Sequence, residues 1–434
     1  MVEGVEDVAT GGQRIDAELL IPGRGDPVPD GTVLLDGGVI SYAGPRTQAP
    51  AWDSPATRVR TVMPGLWDCH AHFLGALDVD FGKEVREPQP LRVARAVRQA
   101  SDALNAGFTS VREVGGYGVY LARAIDEGTI PGPTIYGAGA MLSQTGGHGD
   151  LHDFPVEVMA DMAAHHGPMQ LCDGVPACLR AVRLQLRQNA RLIKVHASGG
   201  VLSDIDHPVH QQFSAEELRA IVGEATRAER IVAAHCHGKP GIMAALEAGV
   251  RTIEHGSYLD EEAAAAMVET GAILVATRAI VERLLVALDR LPPASARKGR
   301  EVADRHWQAM HIAREAGVAI AAGTDFVTAG PDTLAPVGRN AEELGHLVAA
   351  GYTPLQAIEA ATASAPATLG PQAPRSGQLA TGYDADVIAL DINPLDDIAA
   401  LADPTRVTHV WKHGRIVKAP PAQPGQASRP PSGA

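Results

Sequence analysis

The sequence predicts an α/β protein, a (β/α)8 TIM barrel with a small β-sandwich domain assembled from both chain ends. Three observations lead to it. Short alternating apolar runs broken by Gly, Pro and Asp occupy both ends of the chain. The middle, residues 63–375, repeats a β-branched run followed by a helical stretch. No Gly-x-Gly-x-x-Gly turn follows an early strand, which weighs against the doubly wound alternative. A length of 434 residues accommodates one large domain and a smaller one.

Taken in order, residues 1–62 hold the first part of the sandwich. Thr32-Val-Leu-Leu-Asp36 and Val39-Ile-Ser-Tyr-Ala43 flank Gly37-Gly38, the pattern of a hairpin. Residues 63–375 form the barrel. Its strands are read in Thr109-Ser-Val-Arg112, Leu192-Ile-Lys-Val195, Ile231-Val-Ala-Ala234 and Val318-Ala-Ile-Ala321. Its helices are read over Leu91 to Asn105, Ala215 to Arg227, Ile242 to Ala248 and Glu301 to Ala316. Residues 376–418 return to the hairpin texture in Asp386-Val-Ile-Ala-Leu390, Val407-Thr-His-Val-Trp411 and the turn Lys412-His-Gly-Arg415. Residues 419–434, rich in Pro, Gly, Ser and Gln, read as a disordered tail.

Composition narrows the function classes. A net charge of −14 argues against nucleic acid and anionic membranes, which select basic patches. No apolar run approaches the roughly 18 to 20 residues that span a bilayer. The first twelve residues carry Glu3, Glu6 and Asp7 and lack the basic and apolar regions of a signal peptide. The four cysteines, Cys69, Cys172, Cys178 and Cys236, are too scattered for a disulfide framework. A cytoplasmic protein acting on a small molecule is expected, with a homo-oligomer as its assembly.

The chemistry concentrates at strand ends. In Pro64-Gly-Leu-Trp-Asp-Cys-His70-Ala-His72, alternation along a strand turns His70 and His72 to one face, where two imidazoles can grip one cation. Such a pair alone also occurs without a metal. Lys194 is centred in the apolar run Leu192-Ile-Lys-Val195. Burial lowers a lysine pKa, and a neutral amine can add CO2 to become a carbamate whose two oxygens bridge two metals. A lysine salt-bridged to a neighbour is the simpler alternative. Ile231-Val-Ala-Ala-His235-Cys-His237 and Arg251-Thr-Ile-Glu-His255-Gly each end an apolar run, as does Ala319-Ile-Ala-Ala-Gly-Thr-Asp325. His235 closes its strand directly and is the ligand of its pair, with His237 a pocket residue. A lone aspartate such as Asp325 usually caps a helix, but beside metal ligands it becomes a ligand and proton acceptor.

These pieces resemble the amidohydrolase superfamily, and within it the imidazolonepropionase-related enzymes that include Xaa-Pro and Xaa-Arg/Lys dipeptidases. The matching segments are the His70/His72 run, Gly107-Phe-Thr-Ser-Val-Arg112, Gly146-Gly-His-Gly-Asp150 and Ile193-Lys-Val-His-Ala-Ser-Gly-Gly200. They continue through Gln212-Phe-Ser-Ala-Glu216, Ala234-His-Cys-His-Gly238, Thr252-Ile-Glu-His-Gly256, Gly323-Thr-Asp325 and Gly382-Tyr-Asp-Ala-Asp386. The resemblance implies two divalent metal ions, zinc being expected. His70, His72 and Asp325 would hold the more buried ion, His235 and His255 the second, and carboxylated Lys194 would bridge them. His148 matches a substrate-contacting position. His196 departs from the usual apolar residue and either crowds the metals or meets substrate.

The implied reaction is cleavage of a C–N amide bond by a hydroxide bridging the metals. Asp325 passes the proton to the leaving nitrogen, and His148 or His237 stabilises the oxyanion. The acidic residues Asp78, Asp80, Glu84, Asp150, Asp153, Asp204 and Asp206, expected over the site, weakly favour a neutral or cationic substrate. A dipeptide or N-acyl amino acid is the first expectation. A cyclic amide, a carbamate or a xenobiotic amide resembling a mycotoxin is the second. A non-catalytic scaffold is disfavoured because all six metal-ligand positions are filled.

Overall fold

The computed structural model describes residues 12–421 apart from Asp204. The expectations for residues 1–11, for Asp204 and for the tail beyond 421 lie outside the described residues, as does the side chain of Glu84.

The two chain ends meet in one sheet. Strands Gln13–Leu20, Val28–Asp36, Val39–Pro45 and Ala56–Pro64 join Val387–Leu390, Val407–Lys412 and Arg415–Lys418 in a seven-stranded sheet. The seam is antiparallel, with Val387 opposite Pro64 and Leu390 opposite Thr61. Gly37 and Gly38 take φ of +54° and +88°, the left-handed backbone that a two-residue hairpin turn demands. Along Val387–Leu390, alternate residues serve two cores. Val387 and Ala389 join Ile15, Val33, Val62 and Trp411 in a cluster belonging to the sheet, while Ile388 and Leu390 join the barrel's core. In hydrogen-bonding terms the expected sandwich is therefore one continuous sheet. Alternating polarity reports a half-buried strand and does not separate one sheet from two.

The middle of the chain forms a ring of parallel strands. They are β1 (Leu66–Ala76), β2 (Phe108–Glu113), β3 (Thr134–Gly137, resuming at Met141–Ser143), β4 (Ile193–His196), β5 (Val232–Cys236), β6 (Thr252–His255), β7 (Ile273–Val275) and β8 (Ala319–Ile320). Each pairs in parallel with the next. Beyond β8 the chain turns back to β1: Cys69 N–H donates to the Ala322 carbonyl at 2.9 Å, and Asp325 N–H to the His70 carbonyl at 2.6 Å. The order thus returns to its start, consistent with a TIM barrel.

Helices pack outside through apolar stripes. Gln89–Asn105 buries Ala96, Ala100, Ala103 and Leu104, spaced for one helical face. Ala215–Arg227 begins where the sequence places it, because Ser214 and Glu217 cap each other's backbone N–H groups at 3.3 and 2.7 Å. Pro293–Ala316 starts eight residues ahead of the expected Glu301, its first turn accommodating proline, which has no N–H to leave unpaired. No helix among the described residues is long and apolar enough to cross a membrane.

Candidate metal centre

The C-terminal ends of the strands bring the expected donors together. His70 and His72 lie within β1, Lys194 and His196 on β4, His235 on β5, His255 on β6, and Asp325 follows β8. His70, His72 and Asp325 each present one ligand atom, all within 4.8 Å of one another. The His70 and His255 rings are 4.9 Å apart between centroids, His235 and His255 4.6 Å. Lys194 Nζ stands 3.5 Å from His70 Nε2.

In each of the four imidazoles one nitrogen is already committed. His70 Nδ1 donates to Glu254 Oε2 at 2.7 Å and His72 Nδ1 to the Gly115 carbonyl at 2.7 Å. His235 Nε2 donates to the Gly199 carbonyl at 3.2 Å. His255 Nδ1 donates to Thr277 Oγ1 at 2.7 Å, since that hydroxyl spends its own proton on the Ala276 carbonyl. What remains is a lone pair on each ring, at His70 Nε2, His72 Nε2, His235 Nδ1 and His255 Nε2. Two of these face an acceptor: Asp325 Oδ1 lies 3.1 Å from His72 Nε2 and 3.5 Å from His70 Nε2. Electron-rich atoms so placed require a proton or a cation between them.

Electrostatics keep the donors ready. Burial pushes the His70 pKa down to about 4, helped by the Lys194 charge, and burial likewise holds His235 and His255 well below the usual imidazole range. Burial would raise Asp325, but His70 and His72 outweigh it and bring it to about 2. Burial lowers Lys194 to about 8 against the pull of Glu254 and Asp325. Lys194 forms no ion pair with a carboxylate among the described residues, so the salt-bridged alternative finds no partner.

Supporting residues that carry no donor escape a reading of strand ends. Glu254, fully buried, is held by Arg112, whose Nη2 reaches both carboxylate oxygens at 2.8 Å. Burial raises this carboxyl, and the Arg112 charge with His70 and Lys194 overrides it, leaving Glu254 below the ordinary carboxylate range. Asp68 accepts from His70 N–H at 2.9 Å, Thr324 N–H at 3.1 Å, Thr324 Oγ1 at 2.6 Å and Asn340 Nδ2 at 2.6 Å. It thereby ties β1 to the segment ending in Asp325. His306 Nε2 donates to the His255 and Ala276 carbonyls, fixing the ends of β6 and β7. The signal for Arg112 is the one that marks Lys194, a charged residue set in a strand.

The donors floor a cavity of about 100 Å³. His148, His196 and His237 also line it. The His148 ring stacks on His235 at 4.4 Å, His196 meets His148 edge-on at 5.0 Å, and His237 stacks on His255 at 4.9 Å. The outer wall is apolar, including Leu74, Val79, Phe81, Met141, Met169 and Leu284. None of the described acidic loop residues lines it. Asp80 caps a short helix through Gly82 N–H, Asp78 pairs with Lys83, Asp150 accepts from Gly146 N–H, and Asp206 is buried in its own loop. The preference for a cationic substrate loses its basis.

The match to known proteins covers nearly the whole chain. Residues 61–417 match the amidohydrolase family model. An ochratoxinase of Aspergillus niger is 45% identical over 96% of this chain and 89% of its own. The crystal structure of A. niger ochratoxinase superposes with a TM-score of 0.87 at 44% identity, covering 97% of this chain and 99% of that one. A prolidase complexed with N-methylphosphonate-L-proline gives 0.86 at 33% identity, covering 94% and 100%. An imidazolonepropionase of Streptomyces avermitilis is 25% identical over 90% of this chain and 88% of its own. The resemblance to imidazolonepropionases and Xaa-Pro dipeptidases therefore holds, and the chain belongs to the amidohydrolase family, as a hydrolase acting on carbon–nitrogen bonds.

Proposed function

We propose that this chain is a two-cation amidohydrolase that cleaves a xenobiotic-type amide with a bulky apolar acyl part, the ochratoxin named for its 45%-identical relative being the first such amide to try. One observation carries the metal reading: four buried imidazoles each have one nitrogen tied back and the other left bare, and two of the bare nitrogens, of His70 and His72, face the Asp325 carboxylate. Neutral nitrogens and anionic oxygen are a fitting donor set for zinc. His70, His72 and Asp325 would hold one ion, His235 and His255 the other, and Lys194 as a carbamate would serve both. Bound there, divalent ions supply Lewis acidity to the scissile carbonyl and acidify water.

The residues of the chain do the rest. Asp325 accepts a proton and returns it to the leaving nitrogen. His237, lining the cavity, donates toward the carbonyl oxygen as it gains charge, and His148, lining it beside His235, contacts the substrate. The apolar wall favours an aromatic or aliphatic acyl group over a charged one, which supports the xenobiotic amide above the basic dipeptide.

Elemental analysis should find two divalent ions per chain. Activity on ochratoxin or an aromatic N-acyl amino acid should vanish on chelation and return with zinc. Chelation-resistant turnover would remove the metal reading; turnover of basic dipeptides alone would reverse the substrate choice. Gly200 gives a further check. A Cβ there would come within 2.0 Å of His148 Cε1, so Gly200→Ala must displace that ring. A loss of about 10²-fold in kcat/KM with full metal content is expected, as for a small misplacement of a positioned group. An unchanged kcat/KM would take His148 out of the reaction.

A further inference from the structure

The segment after β4, residues 199–212, supplies none of the six donors, yet it is fastened around His148. That histidine sits in the loop after β3, between Gly147 and Gly149. Two separate grips hold it. Its backbone N–H donates to Gln212 Oε1 at 3.0 Å, and Gln212 Nε2 donates to Asp206 Oδ2 at 3.1 Å. Its Nδ1 lies 3.0 Å from Ser203 Oγ, and Ser203 Oγ donates to Asp206 Oδ1. Both paths end on one carboxylate.

The Asp206 side chain is 5% exposed, and it is fully engaged. It accepts from Gly200 N–H at 3.0 Å and faces Lys298 Nζ at 3.6 Å. Lys298, itself buried on the helix Pro293–Ala316, also donates to the backbone carbonyls of Ser203 and Asp206 at 2.5 and 3.2 Å. An ion pair this deep is tolerated because further hydrogen bonds satisfy both partners. The proton order is dictated by chemistry. An ionised carboxylate only accepts, so the single Ser203 proton goes to Asp206, and the hydroxyl oxygen accepts from His148 Nδ1–H. Nε2 is then the ring nitrogen left for the cavity.

We infer that Asp206, acting through Ser203 and Gln212 and anchored by Lys298, is the positioning residue that sets the His148 ring over the metal centre. The inference rests on His148 contacting substrate. The acidity of this loop, read from sequence as a lure for cationic substrates, is thus an internal brace.

The test uses the zinc-loaded full-length enzyme and an aromatic N-acyl amino acid. Ser203→Ala removes the ring grip while keeping the backbone carbonyl that Lys298 uses. It should lower kcat by about 10-fold, the lower end of what loss of an orienting partner costs, with KM and metal content unchanged. Ser203→Thr, which keeps the hydroxyl, should restore the rate. In a His148→Gln background, adding Ser203→Ala should cost nothing more, since the two act as one unit. Wild-type kcat in Ser203→Ala, or an equal loss with and without His148, overturns the inference. If His148→Gln itself turns over like the parent, the substrate-contact reading falls as well. If His148→Gln is impaired and Ser203→Ala is not, only the inference falls.

Discussion

Replacing Lys194 with alanine is expected to abolish measurable turnover and to leave a folded protein short of metal. The expectation follows from where the amine sits. Nζ is buried at the mouth of the strand ring, 3.5 Å from the bare Nε2 of His70 and without a carboxylate partner among the described residues. A desolvated ammonium there gains little from its surroundings, and burial lowers its pKa to about 8. About a tenth of the amine is then neutral at pH 7 and about half at pH 8. A neutral amine attacks CO2: the N–C bond forms, one C=O bond opens to a carboxylate oxygen, and a proton leaves to solvent. The product sets a negative charge beside the bare nitrogen of His70. Loss of a partner that merely orients a ligand costs roughly 10–100-fold in metal affinity or activity, so loss of the bridge should exceed that in both. Elemental analysis and initial rates measure the two, and a 13C-bicarbonate label should give a carbamate resonance in the parent alone. Lys194→Met, which fills the same space, should be equally inactive. Full metal content with parental turnover in either variant would sink the bridge.

The donors are legible in the sequence because each stands within an apolar run or just past its end. Lys194 lies inside a strand, His235 and His255 stand at strand ends and Asp325 follows one, and the local pattern that makes a strand also fixes which face a side chain takes. What holds those donors is not local. The argument that flags Lys194, a charge inside a strand, applies equally to Arg112, but its partner Glu254 is 142 residues away. Glu254 directly precedes His255 and its side chain serves His70. Asp68 shows the same problem: it sits two residues before His70, and its role appears only when Thr324 and Asn340 arrive from the other end of the barrel.

The wall of the cavity is harder still. Leu74 and Met141 come from separate strands and Phe81 and Leu284 from separate helices, and each reads as ordinary core until its neighbours are known. Charge misleads in the opposite direction. Asp80 and Asp206 are acidic residues in loops near the strand ends, yet one caps a helix and the other is buried against Lys298. Net charge in a loop reports composition; only hydrogen-bond partners separate a binding surface from a brace. That distinction underlies the proposal of an apolar amide over a cationic substrate.

Asp325→Asn should fold normally and still lose about 10²- to 10⁴-fold in turnover, the range spanned by general acid–base catalysis. The backbone at Asp325 has φ of +62°, a left-handed conformation that asparagine tolerates as well as aspartate, so the substitution adds no strain of its own. The N–H bond to the His70 carbonyl at 2.6 Å is a backbone contact and survives. What changes is the oxygen facing His70 and His72. A carboxylate oxygen binds a cation and takes up a proton; an amide oxygen coordinates weakly and is not a base. Loss of a ligand and loss of a proton shuttle can be separated by the leaving group. An amide nitrogen must be protonated to depart, whereas a nitrophenolate departs unaided. If Asp325 carries the proton, the Asn variant should recover much of the parental rate on a p-nitrophenyl ester of the same acyl group while remaining poor on the amide. An equal loss on both, with metal depleted, would leave Asp325 a ligand only, and an unchanged amide rate would remove it from the reaction. The selective loss is expected because Asp325 Oδ1 is a carboxylate oxygen set within 3.5 Å of both His70 Nε2 and His72 Nε2.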